Sequence, residues 1–381
     1  MPPPPLSLYI HIPWCVRKCP YCDFNSHQAP AQLPVDDYLS ALRADLAAEL
    51  ASAPGRQIQT VFIGGGTPSL FPPEAIARLL EDLRPHLPTA AEITLEANPG
   101  TVEQGRFADF RQAGVNRLSI GVQSFDEAML RRLGRIHGRD EAIRAAESAV
   151  TAGFGNFNLD LMFALPEQTL PQMLDDLRQA IALSPPHLSH YQLTLEPNTV
   201  FHSKPPPLPD DDTAWAMQQA AGELLTEQGY GNYEVSAWAR PGRECRHNLN
   251  YWLFGDYLAI GAGAHGKLTS PVDGSVRRYR KAKVPAIYMG QVRAGTPNVE
   301  ERMLHRDDRV LEFMMNALRL TGGFAIPDFE QRTGLPISAA EPGLNSAMAH
   351  GWLEQRDGRI RTTAEGRCYL NAVLELFLPD E

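Results

Sequence analysis

The sequence predicts an α/β fold: a parallel sheet of six strands forming a partial (β/α)6 barrel, followed by a smaller C-terminal helical, winged-helix-like domain. Three observations predict it. Six short apolar runs rich in β-branched and aromatic residues recur along the first half of the chain, and the first five are each followed by a helical amphipathic pattern. Beyond about residue 300 that alternation gives way to helices closing on a short hairpin. Strands separated by helical crossovers run parallel, and six such units fall short of a closed eight-stranded barrel.

The runs, in order, are LSLYIHI (6–12), TVFIGGG (60–66), EITLEAN (92–98), RLSIGVQ (117–123), FNLDLMF (157–163) and LSHYQLTLE (188–196). VDDYLSALRADLAAEL (35–50) and PEAIARLLEDLRPHL (73–87) show the helical spacing clearly. SKPPPLPDDD (203–212) joins prolines to an acidic run and is expected to be an extended surface connection before the helix DDTAWAMQQAAGELLTEQG (211–229). RHNLNYW (246–252) and the Gly-rich turn AIGAGAHGK (259–267) follow. DDRVLEFMMNALRL (307–320) and IPDFEQRTG (326–334) read as helices, and WLEQRDGRIRTT (352–363) as a hairpin turning at Asp357-Gly358. Three regions are therefore expected: a barrel over 1–202, an extension over 203–299 that carries HNLNYW, and the C-terminal domain over 300–381.

Charge and composition narrow the function. With 35 basic against 45 acidic side chains the formal charge is -10, which offers no electrostatic footprint for nucleic acid or an anionic membrane. The winged-helix-like end has no basic recognition surface either, so a DNA reader is not expected. The stretch MPPPPLSLYIHIPWC has no basic n-region or long apolar core, and no segment approaches the roughly 20 apolar residues of a membrane span. Five cysteines, three of them within eight positions, do not form a disulfide framework. A cytoplasmic protein with reduced thiols is expected.

In parallel α/β folds ligands gather at the carboxyl ends of the strands. Here those positions hold His11, Gly64 to Thr67, Glu96 to Pro99, Gln123, Asp160 and the polar end of YQLTLEPN, a Gly-rich polar rim. Just past the first strand lie Cys15, Cys19 and Cys22. A structural zinc site needs a fourth ligand, for which only His11 and Asp23 are near in sequence. A redox CxxC is open to Cys19 and Cys22 but leaves Cys15 idle. A cubane 4Fe-4S cluster held at three corners would use all three thiolates and keep one iron open.

CxxxCxxC, with Tyr21 just before its third cysteine, resembles the signature of radical S-adenosylmethionine (SAM) proteins. The resemblance implies a 4Fe-4S cluster on Cys15, Cys19 and Cys22, SAM chelated to the unique iron, and electron transfer that cleaves the sulfonium to a 5′-deoxyadenosyl radical. GGGTPS (64–69), with Gly65, Gly66 and Thr67, looks like the glycine motif that contacts the SAM amino group. By the same resemblance Tyr9, Tyr21, Glu96, Gln123, Arg135 and Asp160 match positions that hold polar groups of SAM or substrate.

YIHIPWC, CPYCDFNSH, EANPGT, RLSIGVQSF, NLDLM and YQLTLEPNT extend the match over nearly the whole chain, to the oxygen-independent coproporphyrinogen III oxidase family. The oxidase proper carries another cysteine two positions after the third, where this chain has Phe24. CDF together with HNxxYW resembles the haem chaperone branch. That branch implies haem as a bound molecule, haem-requiring acceptor proteins, respiratory and membrane-associated among them, as partners, and is compatible with a homodimer. The competing expectation is an oxidase that decarboxylates coproporphyrinogen III.

His247 is a candidate axial ligand for haem iron, with Asn248, Tyr251 and Trp252 as candidate contacts to the macrocycle; Cys245 and His265 rank below. A buried histidine beside a core aromatic pair is the alternative. One departure from the family pattern is FALPEQT, which has Ala164 where a glycine is common. Alanine is a small change there unless the backbone requires a positive φ.

Overall fold

The computed structural model describes residues 3–100 and 105–379; Thr101 of EANPGT lies outside them. Six strands form the expected parallel core: β1 (Leu6–Ile12), β2 (Ile58–Gly65), β3 (Glu92–Ala97), β4 (Arg117–Gln123), β5 (Phe157–Phe163) and β6 (His187–Gln192). They lie side by side in chain order, each parallel to the next. β6 stops four residues short of the predicted run, at Gln192.

The strands alternate, with Phe62 in β2 and Met162 in β5 as apolar exceptions on the inner face. Leu8 and Ile10, Val61 and Ile63, Ile93 and Leu95, Leu118 and Ile120 point one way and join the main apolar core. The helices α1 (Val35–Ser52), α2 (Pro73–Leu83), α3 (Phe107–Ala113), α4 (Glu127–Arg132), α5 (Arg139–Thr151) and α6 (Leu170–Ala182) follow the strands, and most of them cover that face. The alternate positions are polar or small: Ser7, Tyr9 and His11; Glu92, Thr94 and Glu96; Arg117, Ser119 and Gly121; Asn158 and Asp160. This period of two, apolar toward the helices and polar toward the inner face, puts a polar interior along the sheet.

The sheet continues beyond the six expected strands. On the β6 side it adds β7 (Gly231–Glu234) and β8 (Ala237–Ala239); on the β1 side it adds β9 (Asp256–Ile260), β10 (His265–Thr269), β11 (Val276–Lys281) and β12 (Asn298–Met303). The result is a twelve-stranded, open sheet. β9 runs parallel to β1, whereas β10, β11 and β12 are antiparallel to their neighbours. A buried ion pair fastens this side: Lys281 Nζ lies 2.7 Å from Asp45 and 2.6 Å from Glu49, both on α1.

A second apolar cluster, with Phe313, Phe324, Phe329 and Leu344, holds the C-terminal helices and a three-stranded wing. Its hairpin turns at Asp357 (φ 52°) and Gly358 (φ 74°), the left-handed pair that a two-residue type I′ turn requires. Among the described residues no helix is long and apolar enough to cross a membrane.

Candidate functional site

A cavity of about 470 Å³ opens at the carboxyl ends of the parallel strands. Cys15, Cys19 and Cys22 enter it from the loop after β1, and Phe24, 59 % exposed, stands at its edge. The loop is shaped by its own backbone, Cys22 N–H donating to the Cys19 carbonyl at 3.2 Å. Asn25 then pins it from below: its amide donates to the carbonyls of Ala262 (2.8 Å) and Lys283 (2.9 Å). His11 is taken up in the same anchoring, with Nδ1 2.9 Å from Tyr9 Oη and Nε2 2.9 Å from the Asn25 carbonyl. Burial lowers its pKa to about 4, so it stays neutral, and both ring nitrogens are occupied.

The thiols, by contrast, have only loose partners. Cys22 Sγ is 3.8 Å from Ser26 Oγ, and Arg135 Nη1 is 3.8 Å from Cys19 Sγ. Burial raises the pKa of Cys15 and of Cys22. Among the described residues no three His, Cys, Asp or Glu side chains converge on a point that a single ion would fill. Zinc demands such convergence; a cubane, which gives each thiolate its own iron, does not.

The glycines after β2 are dictated by space. Gly65 has φ 119°, and a Cβ there would lie 2.6 Å from the His11 ring; a Cβ on Gly66 would lie 2.6 Å from the Trp14 carbonyl oxygen. Glu96 on β3 accepts the Gly65 N–H at 3.0 Å. Burial first, then the neighbouring Asp160, lifts its pKa to about 8. Burial also raises Asp160, which is held by Asn158 Nδ2 at 2.7 Å and Ser119 Oγ at 3.1 Å. Arg135 donates to Asn98 Oδ1 (2.7 Å) and to the Gly121 carbonyl (2.6 Å), so a cation is fixed between the cysteine loop and β4. Gln123 closes β4 in a left-handed conformation (φ 69°) and accepts a 2.8 Å bond from Tyr191.

Of the predicted residues, the three cysteines, Tyr21, Gly65, Gly66, Thr67, Glu96, Gln123, Arg135 and Asp160 line this one cavity. Tyr9 stands behind it, bonded to His11. Sequence reasoning missed Asn25 and Ser119 and did not single out Asn98, which bridges Thr67 (2.8 Å) and Arg135. The signal for Ser119 was there, in the polar alternates of RLSIGVQ and FNLDLMF.

HNLNYW forms a short helix, α8 (Arg246–Trp252), at the opposite, amino end of the strands, after α7 (Asp211–Glu227). The Glu92 carboxylate receives its first N–H groups, Arg246 at 3.2 Å and His247 at 3.0 Å, with Cys245 Sγ at 3.7 Å. His247 is sealed inside: Nδ1 is 2.8 Å from Thr60 Oγ1, and its ring sits between Phe62 (5.1 Å) and Tyr251 (4.9 Å). Burial drives its pKa down to about 3. Only Asn248 and Trp252 of the segment reach the cavity, at the end away from the cysteines; His247 and Tyr251 do not. His265 lies elsewhere, on the β10 strand opposite Arg280. Ala164 does have a positive φ (53°), so the departure from glycine falls where the backbone demands it.

Comparison with known proteins follows the same division. Residues 9–180 match the model of the radical SAM superfamily, and residues 304–369 match the HemN C-terminal domain. The chain is 53% identical over 379 residues to heme chaperone HemW of Escherichia coli K12, covering 99% of each, and 50% identical to that of Haemophilus influenzae, again covering 99% of each. The Bacillus subtilis heme chaperone HemW is 32% identical, with 98% of this chain and 99% of that one covered. Among solved structures, the coproporphyrinogen III oxidase HemN of Escherichia coli superposes with a TM-score of 0.83 at 26% identity, covering 99% of this chain and 91% of that one. The chain is therefore a radical SAM superfamily protein of the HemW heme chaperone family.

Proposed function

We propose that this protein binds haem and delivers it to haem-requiring acceptor proteins, and that it carries a 4Fe-4S cluster and SAM in the cavity at the carboxyl ends of the strands. The observation that carries this reading is the family itself: full-length relatives up to 53% identical bear the name heme chaperone. The cavity fits the cofactors implied by the superfamily. Cys15, Cys19 and Cys22 would hold the cluster, since their sulfurs face a common cavity, with only long contacts of 3.8 Å from Ser26 to Cys22 and from Arg135 to Cys19. Gly65, Gly66 and Thr67 line the cavity, the two glycines having no room for a Cβ against His11 and Trp14, and Glu96 and Asp160 present carboxylates that a cationic SAM would hold ionised. Tyr21, Gln123 and Arg135 complete the lining, with Tyr9 behind. When bound, the cluster supplies one electron at low potential and an open iron for SAM.

Phe24 favours a carrier over an oxidase, because by the family resemblance it stands where the oxidase has one more thiol. The test is anaerobic transfer of haem from reconstituted protein to an apo-acceptor, with and without cluster and SAM, beside an assay with coproporphyrinogen III. Transfer without vinyl product is expected. Vinyl product, or haem uptake no greater than that of a non-specific carrier, would overturn the reading.

A further inference from the structure

The helix α8 is a partition between two cavities. Asn248 and Trp252 face the cavity that holds the cysteines, and His247 and Tyr251 are buried between neighbouring rings. Arg246, Leu249, Asn250 and Leu253 face the other way, into a second cavity of about 570 Å³ at the amino end of the sheet. The spacing i, i+3, i+4, i+7 is that of one helical stripe. The far wall of this cleft is Pro3, Pro4, Pro5 and Leu6.

We propose that haem docks in this outer cleft, on the Arg246 and Leu249 face of α8, outside the cavity that contains the cysteines. This deepens, and rests on, the haem-carrier function proposed above. The size lies within the ordinary range for cofactor sites, roughly 300–1,000 Å³. The chemistry is that of haem: an apolar macrocycle bearing two carboxylates at one edge. Leu249, Leu253 and the proline wall offer apolar surface, and the polar margin is cationic. Arg246 is exposed, and its guanidinium makes one hydrogen bond, to the Ala90 carbonyl at 2.7 Å. Arg56 gives one nitrogen to Asp256 at 2.8 Å and the other to the Pro4 carbonyl, so it contributes charge rather than a free fork; Asp256 is shared with Lys267 at 3.2 Å, and that group of three keeps one positive charge in excess. No acidic residue lines the cleft among the described residues. Arginine suits carboxylate recognition because its planar fork matches both oxygens.

No histidine, cysteine, methionine or tyrosine lines the cleft among the described residues. The described lining therefore holds the macrocycle by its shape and its propionates and offers no side-chain bond to iron, which an acceptor with an iron ligand would supply. Metal-free protoporphyrin IX should then bind about as well as haem.

The experiment titrates the full-length protein with haem and with metal-free protoporphyrin IX, followed by absorbance and fluorescence. Three proteins are compared: wild type, the double variant Arg246→Glu with Leu249→Glu, and Cys19→Ser. Expected are saturable binding of both ligands to wild type, weakening by about tenfold or more in the double variant, and unchanged affinity in Cys19→Ser. Esterifying the propionates of the probe should weaken binding to wild type by a similar factor. Circular dichroism and cluster reconstitution show whether the double variant is folded; if it is not, the esterified probe on wild type decides. Haem binding without porphyrin binding, unaltered affinity in the folded double variant, or indifference to esterification overturns the docking site while leaving the carrier function standing. Failure of wild type to bind either ligand overturns both.

Discussion

The two ends of the parallel sheet contain the same kinds of side chain in opposite circumstances. At the carboxyl end Cys15, Cys19 and Cys22 face a cavity, with sulfur contacts no closer than 3.8 Å for Cys19 and Cys22. At the amino end Cys245 and His247 are fully buried: Cys245 Sγ lies 3.7 Å from Glu92, His247 Nδ1 is bonded to Thr60, and His247 Nε2, though without a hydrogen-bond partner, is enclosed among side chains. A histidine or cysteine in a motif is thus no guide to ligation by itself. What separates a site from a structural joint here is whether the atom that would bind faces open space, since the partner distances at the two ends are alike.

That contrast is broken most severely by exchanging the consequences of mutation at the two ends. Cys19→Ser should reduce iron from about four per chain to near zero after anaerobic reconstitution, while the urea midpoint of the metal-free protein hardly moves. Glu92→Ala should do the reverse. It leaves the first N–H groups of α8 unpaired and removes a carboxylate that Arg117 feels within the interior. The loss should be about 3–5 kcal/mol, read by urea unfolding, with iron loading of the folded fraction intact. Equal damage to iron loading from both variants would dissolve the distinction between the ends.

A pH titration sharpens the contrast next. Glu96 moves from an ordinary 4.5 to about 8 on folding, chiefly by burial and then by the charge of Asp160. A carboxyl with a raised folded pKa keeps its proton in the native state after the unfolded chain has released it. Its contribution is complete below 4.5 and is lost as pH rises from 4.5 toward 8. Metal-free, SAM-free protein should therefore lose up to about 1.4 kcal/mol per pH unit from this group across that window. In Glu96→Gln the slope should be shallower by about one proton; an unchanged slope would show that Glu96 is ionised in the native protein. A smaller effect belongs to the other end: Thr60→Val removes the bonds to Ser7 (2.7 Å) and His247 (2.8 Å) and should cost about 1–3 kcal/mol without any dependence on SAM.

The sequence made the six parallel strands legible because their polar and apolar residues alternate, and it made the cysteine cavity legible because eight consecutive positions carry the motif. The other six strands were hidden for physical reasons. Gly231–Glu234 and Ala237–Ala239 are too short to show a period. VRRYRK (276–281) reads as a charged surface, yet Lys281 is buried because its partners Asp45 and Glu49 lie on a helix more than 200 positions away. The same distance problem hid Asn25, whose partners Ala262 and Lys283 come from the far side of the chain. HNLNYW was legible as a motif but not as a partition, since the direction of each side chain depends on where β1, β2 and β3 place Ser7, Thr60 and Glu92.

The smallest effect tests how far a local rule outweighs its surroundings. Ala164 has φ 53° where the related pattern favours glycine, and its methyl group is buried. A left-handed conformation costs a non-glycine residue about 1–2 kcal/mol, so Ala164→Gly should relieve that strain. Two terms oppose the relief. Glycine gives the unfolded chain more freedom, worth about 0.5–1 kcal/mol, and the buried methyl is worth about 0.8 kcal/mol. The opposing sum, about 1.3–1.8 kcal/mol, nearly equals the strain, so the urea midpoint of Ala164→Gly should lie close to that of wild type. A stabilisation beyond about 1.5 kcal/mol would mean that the methyl is poorly packed; a loss of that size would mean that the turn between β5 and α6 depends on alanine filling its space.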